Sequence, residues 1–195
     1  MEYAVLFLPL IGAILGYFGK SFGSLFSEIV TSLFTSIAAV IAIIIFYNGI
    51  RYDEYGVFQI FEWINSGNFK ASWSINIDPL SSVMLVVVTL VSSLVHIYSI
   101  GYMSHDPHKP RFMSYLSLFT FSMLALVVSD NFLQLFFGWE GVGLCSYLLI
   151  GFWYKKESAN NAAIKAFVVN RIGDFGLAIG IFLIFFYFGS VNFNE

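Results

Sequence analysis

Four side chains carry charge where the surrounding sequence is apolar: Glu140, Lys165, Arg171 and Asp174. Glu140 stands in FGWEGVGLCSYLLIGFW, a run with no other charge between Asp130 and Lys155. As a helix rising about 1.5 Å per residue, that run crosses a bilayer core of roughly 30 Å and puts Glu140 close to the midplane. A carboxylate there costs at least a few kcal/mol, and such residues are functional by default. The chemistry they suit is proton exchange. Burial disfavours the charged form of any ionisable group, and a nearby opposite charge restores it. Moving a cation toward or away from Glu140 is therefore a switch whose input is charge position. On the sixth apolar stretch Arg171 and Asp174 are three apart and share a helix face, so they can pair. Lys165 lies about one turn from the end of that stretch, where it can snorkel. Counted from the same edge, Glu140 and Asp174 are expected about 21 and 18 Å deep. The bland alternatives are an Arg171–Asp174 packing pair, an interfacial anchor at Lys165, and a protonated Glu140 bonded to a neighbouring helix. His96 reads as a helix–helix hydrogen-bonding residue, and His105 and His108 as solvated loop residues.

The elements that position these groups follow from composition. Of 195 residues, 58% are hydrophobic and 11% charged, with mean hydropathy +0.81. Soluble domains carry about 25% charged residues. The apolar surplus comes in runs near the length of a membrane span, so the fold class expected is an all-α polytopic membrane protein. A net charge of -3, with no basic cluster beyond Lys155-Lys156, excludes a nucleic-acid partner. Cys145 is the only cysteine, which excludes an intrachain disulfide and a cysteine-based metal site; it reads as a packing residue.

About six transmembrane helices are expected, with a small external hairpin between the second and third. Helix 1 covers 4–18, with Pro9 inside it, Gly12 and Gly16 on a close-packing face, and Lys20 closing it. Met1-Glu2 supplies no basic n-region and no cleavage motif follows, so this is a membrane helix and not a signal peptide. Helix 2 covers 29–48. Phe69, Ala71, Trp73, Ile75 and Ile77 alternate with polar residues, the period of a strand. Residues 57–64 are its partner and Asn65-Ser66-Gly67-Asn68 the turn, with Trp63 and Trp73 suited to the membrane surface. Asp78-Pro79 caps helix 3, which runs to about Tyr102 and contains His96. The two prolines in 104–111 stop any helix there. Helices 4, 5 and 6 cover 112–128, 131–154 and 161–188, and their short connections make them antiparallel neighbours. The chain divides into 1–77, holding helices 1 and 2 and the hairpin, and 78–195, holding helices 3–6. Connections after helices 1, 3 and 5 hold Lys20, Lys109, Arg111, Lys155 and Lys156, against Arg51 and Lys70 opposite. That asymmetry puts the first set in the cytoplasm or its equivalent, and the N-terminus and hairpin outside.

DNFLQLFFGWEGVGLCSYLLIGFW, followed by AAIKAFVVNRIGD, resembles the large antiporter-like subunits of respiratory complex I, the subunit L or chain 5 family. INIDPLSSVML and HIYSIGYM fit the same family, so the resemblance covers most of the chain from about Ser74. It implies a proton-pumping subunit of NADH:quinone oxidoreductase, built from two inverted five-helix repeats and related to multisubunit Na+/H+ antiporters. Glu140 then falls on the fifth-helix glutamate that pairs with a seventh-helix lysine. Lys165, Arg171 and Asp174 fall on charged positions of the sixth helix. The seventh helix, the second repeat and a long lateral helix would lie beyond Glu195, so the chain reads as an N-terminal fragment. The expected partners are other complex I membrane subunits and the lipid bilayer, with quinone reached only through the complex. The expected location is the bacterial inner membrane, or the mitochondrial inner membrane as the alternative. No cofactor and no metal are expected in this chain: one cysteine and no Gly-rich dinucleotide motif leave flavin and iron–sulfur clusters to other subunits. The rival readings are a cation/proton antiporter subunit and a non-catalytic membrane scaffold whose buried charges specify packing.

Overall fold

Asp78 and Ser81 cap each other. The Asp78 carboxylate accepts from the Ser81 amide at 2.6 Å, and the Ser81 hydroxyl accepts from the Asp78 amide at 2.7 Å, with Pro79 in the first turn. Two of the amides that a helix start leaves open are satisfied in this way. The helix so opened is α3 (Pro79–Tyr102). It is part of a computed structural model that describes residues 1–19, 23–67 and 69–193. The other elements are α1 (Glu2–Phe18), α2 (Ser24–Tyr52), β1 (Gly56–Ser66), β2 (Phe69–Ile77), α4 (Lys109–Val127), α5 (Phe132–Ile150) and α6 (Glu157–Phe188). Among the described residues, α2 to α6 are long and apolar enough to cross a membrane, and α1 is a shorter apolar helix. The chain is an all-α multi-pass membrane chain with one small hairpin.

Several helix ends differ from expectation, each for a local reason. α2 is 29 residues long because Ser27 and Glu28 are buried against neighbours and continue the helix. α4 begins at Lys109, with Pro110 in its first turn. Proline lacks a donor that the first turn does not use, so Pro110 starts the helix instead of stopping it. α5 ends at Ile150, four residues early, because the chain turns back there. The Phe152 carbonyl accepts from Arg111 at 2.9 Å, and the Trp153 indole donates to Asp106 at 2.9 Å. α6 starts four residues early, at Glu157. Lys20, expected to close the first helix, and Asn68, expected in the hairpin turn, lie outside the described residues, as does Glu195.

α1 packs on α2 and α4, α2 on α3, α4 on α5, and α5 on α6. A core of Leu6, Ala38, Ile75, Leu85, Leu124 and Val128 joins α1, α2, β2, α3 and α4. At Gly16 a Cβ would stand 2.8 Å from Thr31 Cγ2, so the small-residue face of α1 lets α2 approach closely. The connections 103–108 and 151–156 meet at one end, called here the basic end. The hairpin occupies the other end.

β1 and β2 pair antiparallel from Gly56↔Ile77 to Ser66↔Phe69, and Gly67 supplies the left-handed turn residue at φ 59. The outer edge of β2 would expose unpaired backbone groups. Three residues on that edge, each two apart, are met by the α4–α5 connection and the first turn of α5 instead. The Ser72 carbonyl accepts from Asn131 at 2.7 Å. The Gln134 amide both accepts from the Ser74 amide at 3.0 Å and donates to its carbonyl at 2.7 Å. The Asn76 amide donates to the Val128 carbonyl at 2.8 Å. Asn131 also caps α5 by accepting from the Gln134 amide. Residues 191–193 pair with the same connection through Phe132 and Asp130. The hairpin end is thus held together by buried side-chain amides.

Candidate functional site

One face of α5 is fixed by contact with α4. At Gly138 a Cβ would lie 2.6 Å from the Leu126 backbone nitrogen, and at Gly141 one would lie 2.8 Å from Ser122 Oγ. Cys145 follows one turn later, buried beside Ser122. The small residues bring the two backbones together, and this close packing sets the rotation of α5 about its axis. Glu140, Gly143 and Tyr147 then point toward α6. Gly143 lies opposite Asn170, and the Tyr147 and Phe167 rings are 5.3 Å apart.

At this interface Arg171 Nη1 forms an ion pair and hydrogen bond with Glu140 Oε2. The same nitrogen is 3.5 Å from Asp174 Oδ2. The other Asp174 oxygen, Oδ1, accepts from the Trp139 indole at 2.8 Å. The Phe167 ring lies 4.6 Å from the guanidinium carbon and supports it by cation–π attraction. Asp174 is buried, Glu140 is half-buried, and Arg171 keeps 40% of its side chain exposed. The cluster comprises two carboxylates and one guanidinium, a formal net charge of -1. The guanidinium lies within reach of both carboxylates and bridges the two helices.

Sequence spacing paired Arg171 with Asp174. The structure gives Arg171 its closer contact to Glu140 on the neighbouring helix, with Asp174 as the second partner. Lys165 is not brought to the cluster. It is six residues before Arg171, about 9 Å along the axis by helical rise, and it is exposed on another face. With the observed helix ends, Glu140 is about 15 Å from the basic end of α5 and Asp174 about 25 Å from the start of α6. These depths differ from the expected values of about 21 and 18 Å, and it is the length of the Arg171 side chain that bridges the two acids.

A second ion pair escaped sequence reading. Lys109 Nζ lies 3.1 Å from Glu28 Oε1, with Glu28 almost fully buried. Glu28 stands one residue before the expected start of helix 2, outside the apolar stretch that marks that helix. At the same end, Asp106 accepts from the Trp153 indole and the His108 amide. Burial, the largest influence on Asp106, works to raise its pKa. The two hydrogen bonds and the charges of His108 and Arg111 outweigh it and hold the carboxyl below its ordinary value. At the hairpin end, burial pushes the Asp130 carboxyl above the usual range.

Two family models match the chain. One, described as NADH-ubiquinone oxidoreductase (complex I) chain 5 N-terminus, covers residues 63–113. The other, described as NADH:quinone oxidoreductase/Mrp antiporter TM, covers residues 129–195. The chain is 51% identical over 196 residues to NADH-ubiquinone oxidoreductase chain 5 of Chondrus crispus, covering 100% of this chain and 29% of that protein. It is 53% identical over 192 residues to NADH-quinone oxidoreductase subunit L of Rickettsia bellii, covering 98% of this chain and 30% of the relative. The chain thus spans less than a third of the length of these curated relatives. Among solved structures it is similar in fold to a chain of the Mrp complex from Dietzia sp. DQ12-45-1b, with a TM-score of 0.84 at 21% identity. That match covers 100% of this chain and 20% of the solved one.

Proposed function

This chain belongs to the NADH-quinone oxidoreductase subunit L / chain 5 family, and on that premise we propose that the whole protein translocates protons as a membrane subunit of an NADH:quinone oxidoreductase. Quinone reduction takes place in other subunits, and this chain carries protons in response to it. Its partners are other membrane subunits of that complex, and its home is a bacterial inner membrane or a mitochondrial inner membrane. The observation that carries the reading is the single guanidinium held between Glu140 and Asp174.

The mechanism follows from charge position. With Arg171 against Glu140, that carboxylate stays ionised. When the guanidinium moves onto Asp174, which is already within 3.5 Å, Glu140 is left without a cation in an apolar setting. Its ionised form is then disfavoured and it takes up a proton. The return of Arg171 releases that proton. Lys165 does not enter the exchange from its present position, which is exposed and about 12 Å into α6 from the basic end. The Trp139 indole holds Asp174 in place in both positions of the guanidinium.

The test is proton uptake driven by NADH oxidation in inverted vesicles containing the full-length protein in its complex. Asp174→Asn is expected to retain roughly a third or more of wild-type transport, a barrier change of no more than about 0.7 kcal/mol. The carboxamide oxygen still accepts from Trp139 and still offers Arg171 a neutral acceptor, so the guanidinium can leave Glu140, though less readily. Transport as low as in Glu140→Gln would instead make Asp174 an equal station. A sodium dependence of the transport would favour the antiporter reading. Orientation is tested with reporters: one after Lys156 is expected in the cytoplasm or its equivalent, and one within 65–67 on the opposite side. The observed connections do lie at opposite ends, so a reversed pattern would invert the whole chain.

A further inference from the structure

Away from the Glu140 cluster, a column of polar residues on α2, buried at Glu28 and Ser32, faces α3 and α4. On α2, Ser24, Glu28, Ser32 and Ser36 recur every four residues and share one face. Ser24 lines a cavity of about 450 Å³ at the basic end, together with Tyr17, His108 and Arg111. One turn further in, Glu28 pairs with Lys109. Ser32 follows, and its buried Oγ meets no hydrogen-bond partner among the described residues. After another turn, Ser36 Oγ is 2.8 Å from Ser93 Oγ on α3. This contact fixes the register. α2 and α3 run antiparallel, so four residues back from Ser36 corresponds to four residues on from Ser93, which is beside His96.

His96 is fully buried, and its Nδ1 lies 2.8 Å from the Ser92 carbonyl oxygen. A carbonyl only accepts, so Nδ1 carries the proton and donates it. In the neutral ring Nε2 is then a bare acceptor. Nε2 is buried and has no partner among the described residues. A hydroxyl and a ring nitrogen, both buried and both unpaired, thus stand at one level on facing helices. Glu28 Oε1, one turn away, also lacks an aligned hydrogen bond despite its proximity to Lys109. Buried polar atoms are almost always paired, and where the protein does not reach, water is the partner.

We propose that His96, Ser32 and Glu28 form a second protonatable site, which takes a water molecule between α2 and α3 and through it receives a proton from the basic end. The water donates to His96 Nε2 and accepts from the Ser32 hydroxyl. A proton reaching Glu28 from the cavity at Ser24 passes to this water, and the water's own proton passes to Nε2. One N–H bond forms, one O–H bond breaks, and the water is restored from the Glu28 side. The product is an imidazolium whose Nδ1–H still donates to Ser92; release reverses the path. Glu28 faces this site from α2 and favours the imidazolium. Lys109 from α4 opposes it, as do His108 and Arg111 at the cavity, while Tyr98 and Tyr102 lie on the exposed face of α3.

The site lies on helices that carry neither Glu140 nor Arg171, so it stands or fails separately from the translocation reading. The direct test is a cryo-EM map of the full-length protein in its complex, at a resolution that shows ordered water. Density within about 3 Å of both His96 Nε2 and Ser32 Oγ is expected. A direct bond from Nε2 to a protein group, or apolar packing around it with no density, would overturn the site. In the Ser32→Ala map the density should weaken or vanish with the ring unmoved; undiminished density would remove Ser32 from it. The titration has its own readout, which does rest on coupled transport. His96→Leu is expected to remove one limb from the pH profile of proton uptake, and an unchanged profile in the assembled complex would overturn proton binding there.

Discussion

Glu140→Gln is expected to lower coupled proton transport at least about tenfold, a barrier increase of about 1.4 kcal/mol or more, while the subunit still assembles. The carboxamide is nearly the same size as the carboxylate and still accepts from Arg171. It cannot take up or release a proton at neutral pH. The packing of α5 against α4 depends on Gly138, Gly141 and Cys145, on the other side of the helix, so it is not disturbed. Arg171 and Asp174 remain as a pair of formal net charge zero. Glu140→Asp is expected to fall between wild type and Glu140→Gln, because the charge remains but is set back by one methylene from Arg171. The measurements are proton uptake per quinone reduced in membrane vesicles and complex abundance on native gels. Loss of the complex itself in Glu140→Gln would assign Glu140 to packing.

The second large effect is structural. Gly138→Ala is expected to prevent normal assembly, because the added Cβ would stand 2.6 Å from the Leu126 backbone nitrogen and 2.7 Å from its Cα. These are backbone atoms within α4, and no rotamer change relieves the contact. Overpacking of a buried contact typically costs about 1–3 kcal/mol, and here relief requires α4 and α5 to move apart. That movement would also strain the bonds from Asn131 and Gln134 to the hairpin. By contrast, Gly143→Ala adds a Cβ whose nearest neighbour is the Asn170 amide nitrogen at 3.9 Å, so it should assemble normally. Equal abundance of the two variants would show that close approach of α4 and α5 is dispensable.

Long apolar segments and one strong cap made most of the fold legible in sequence. Length and hydropathy alone identify α2 to α6, and Asp78-Pro79 marks the start of α3 because its signal is local. The helix ends at Ser24, Lys109 and Ile150 were less legible, since polar residues there are buried by partners far along the chain. Glu28 finds Lys109, and Arg111 reaches the carbonyl of Phe152. Gln134 illustrates the same limit: nothing near it in sequence says that its amide will bind a strand residue 60 positions earlier. In the site, the three-residue spacing of Arg171 and Asp174 was visible. The closer contact with Glu140 was not, because it depends on how α5 is rotated by its glycines. Lys165 has the same chemistry as a relay group, but its position on α6 turns it to another face.

Reaction-induced infrared difference spectroscopy on the full-length protein in its complex tests the central claim most directly. Glu140 is proposed to alternate between an ionised form held by Arg171 and a protonated form when the guanidinium leaves. Turnover with NADH and quinone should therefore change a carboxylic acid C=O band that is missing in Glu140→Gln and present in Asp174→Asn. A spectrum in which no carboxyl band depends on Glu140 during turnover, with the complex intact and pumping, would contradict the role given to this residue.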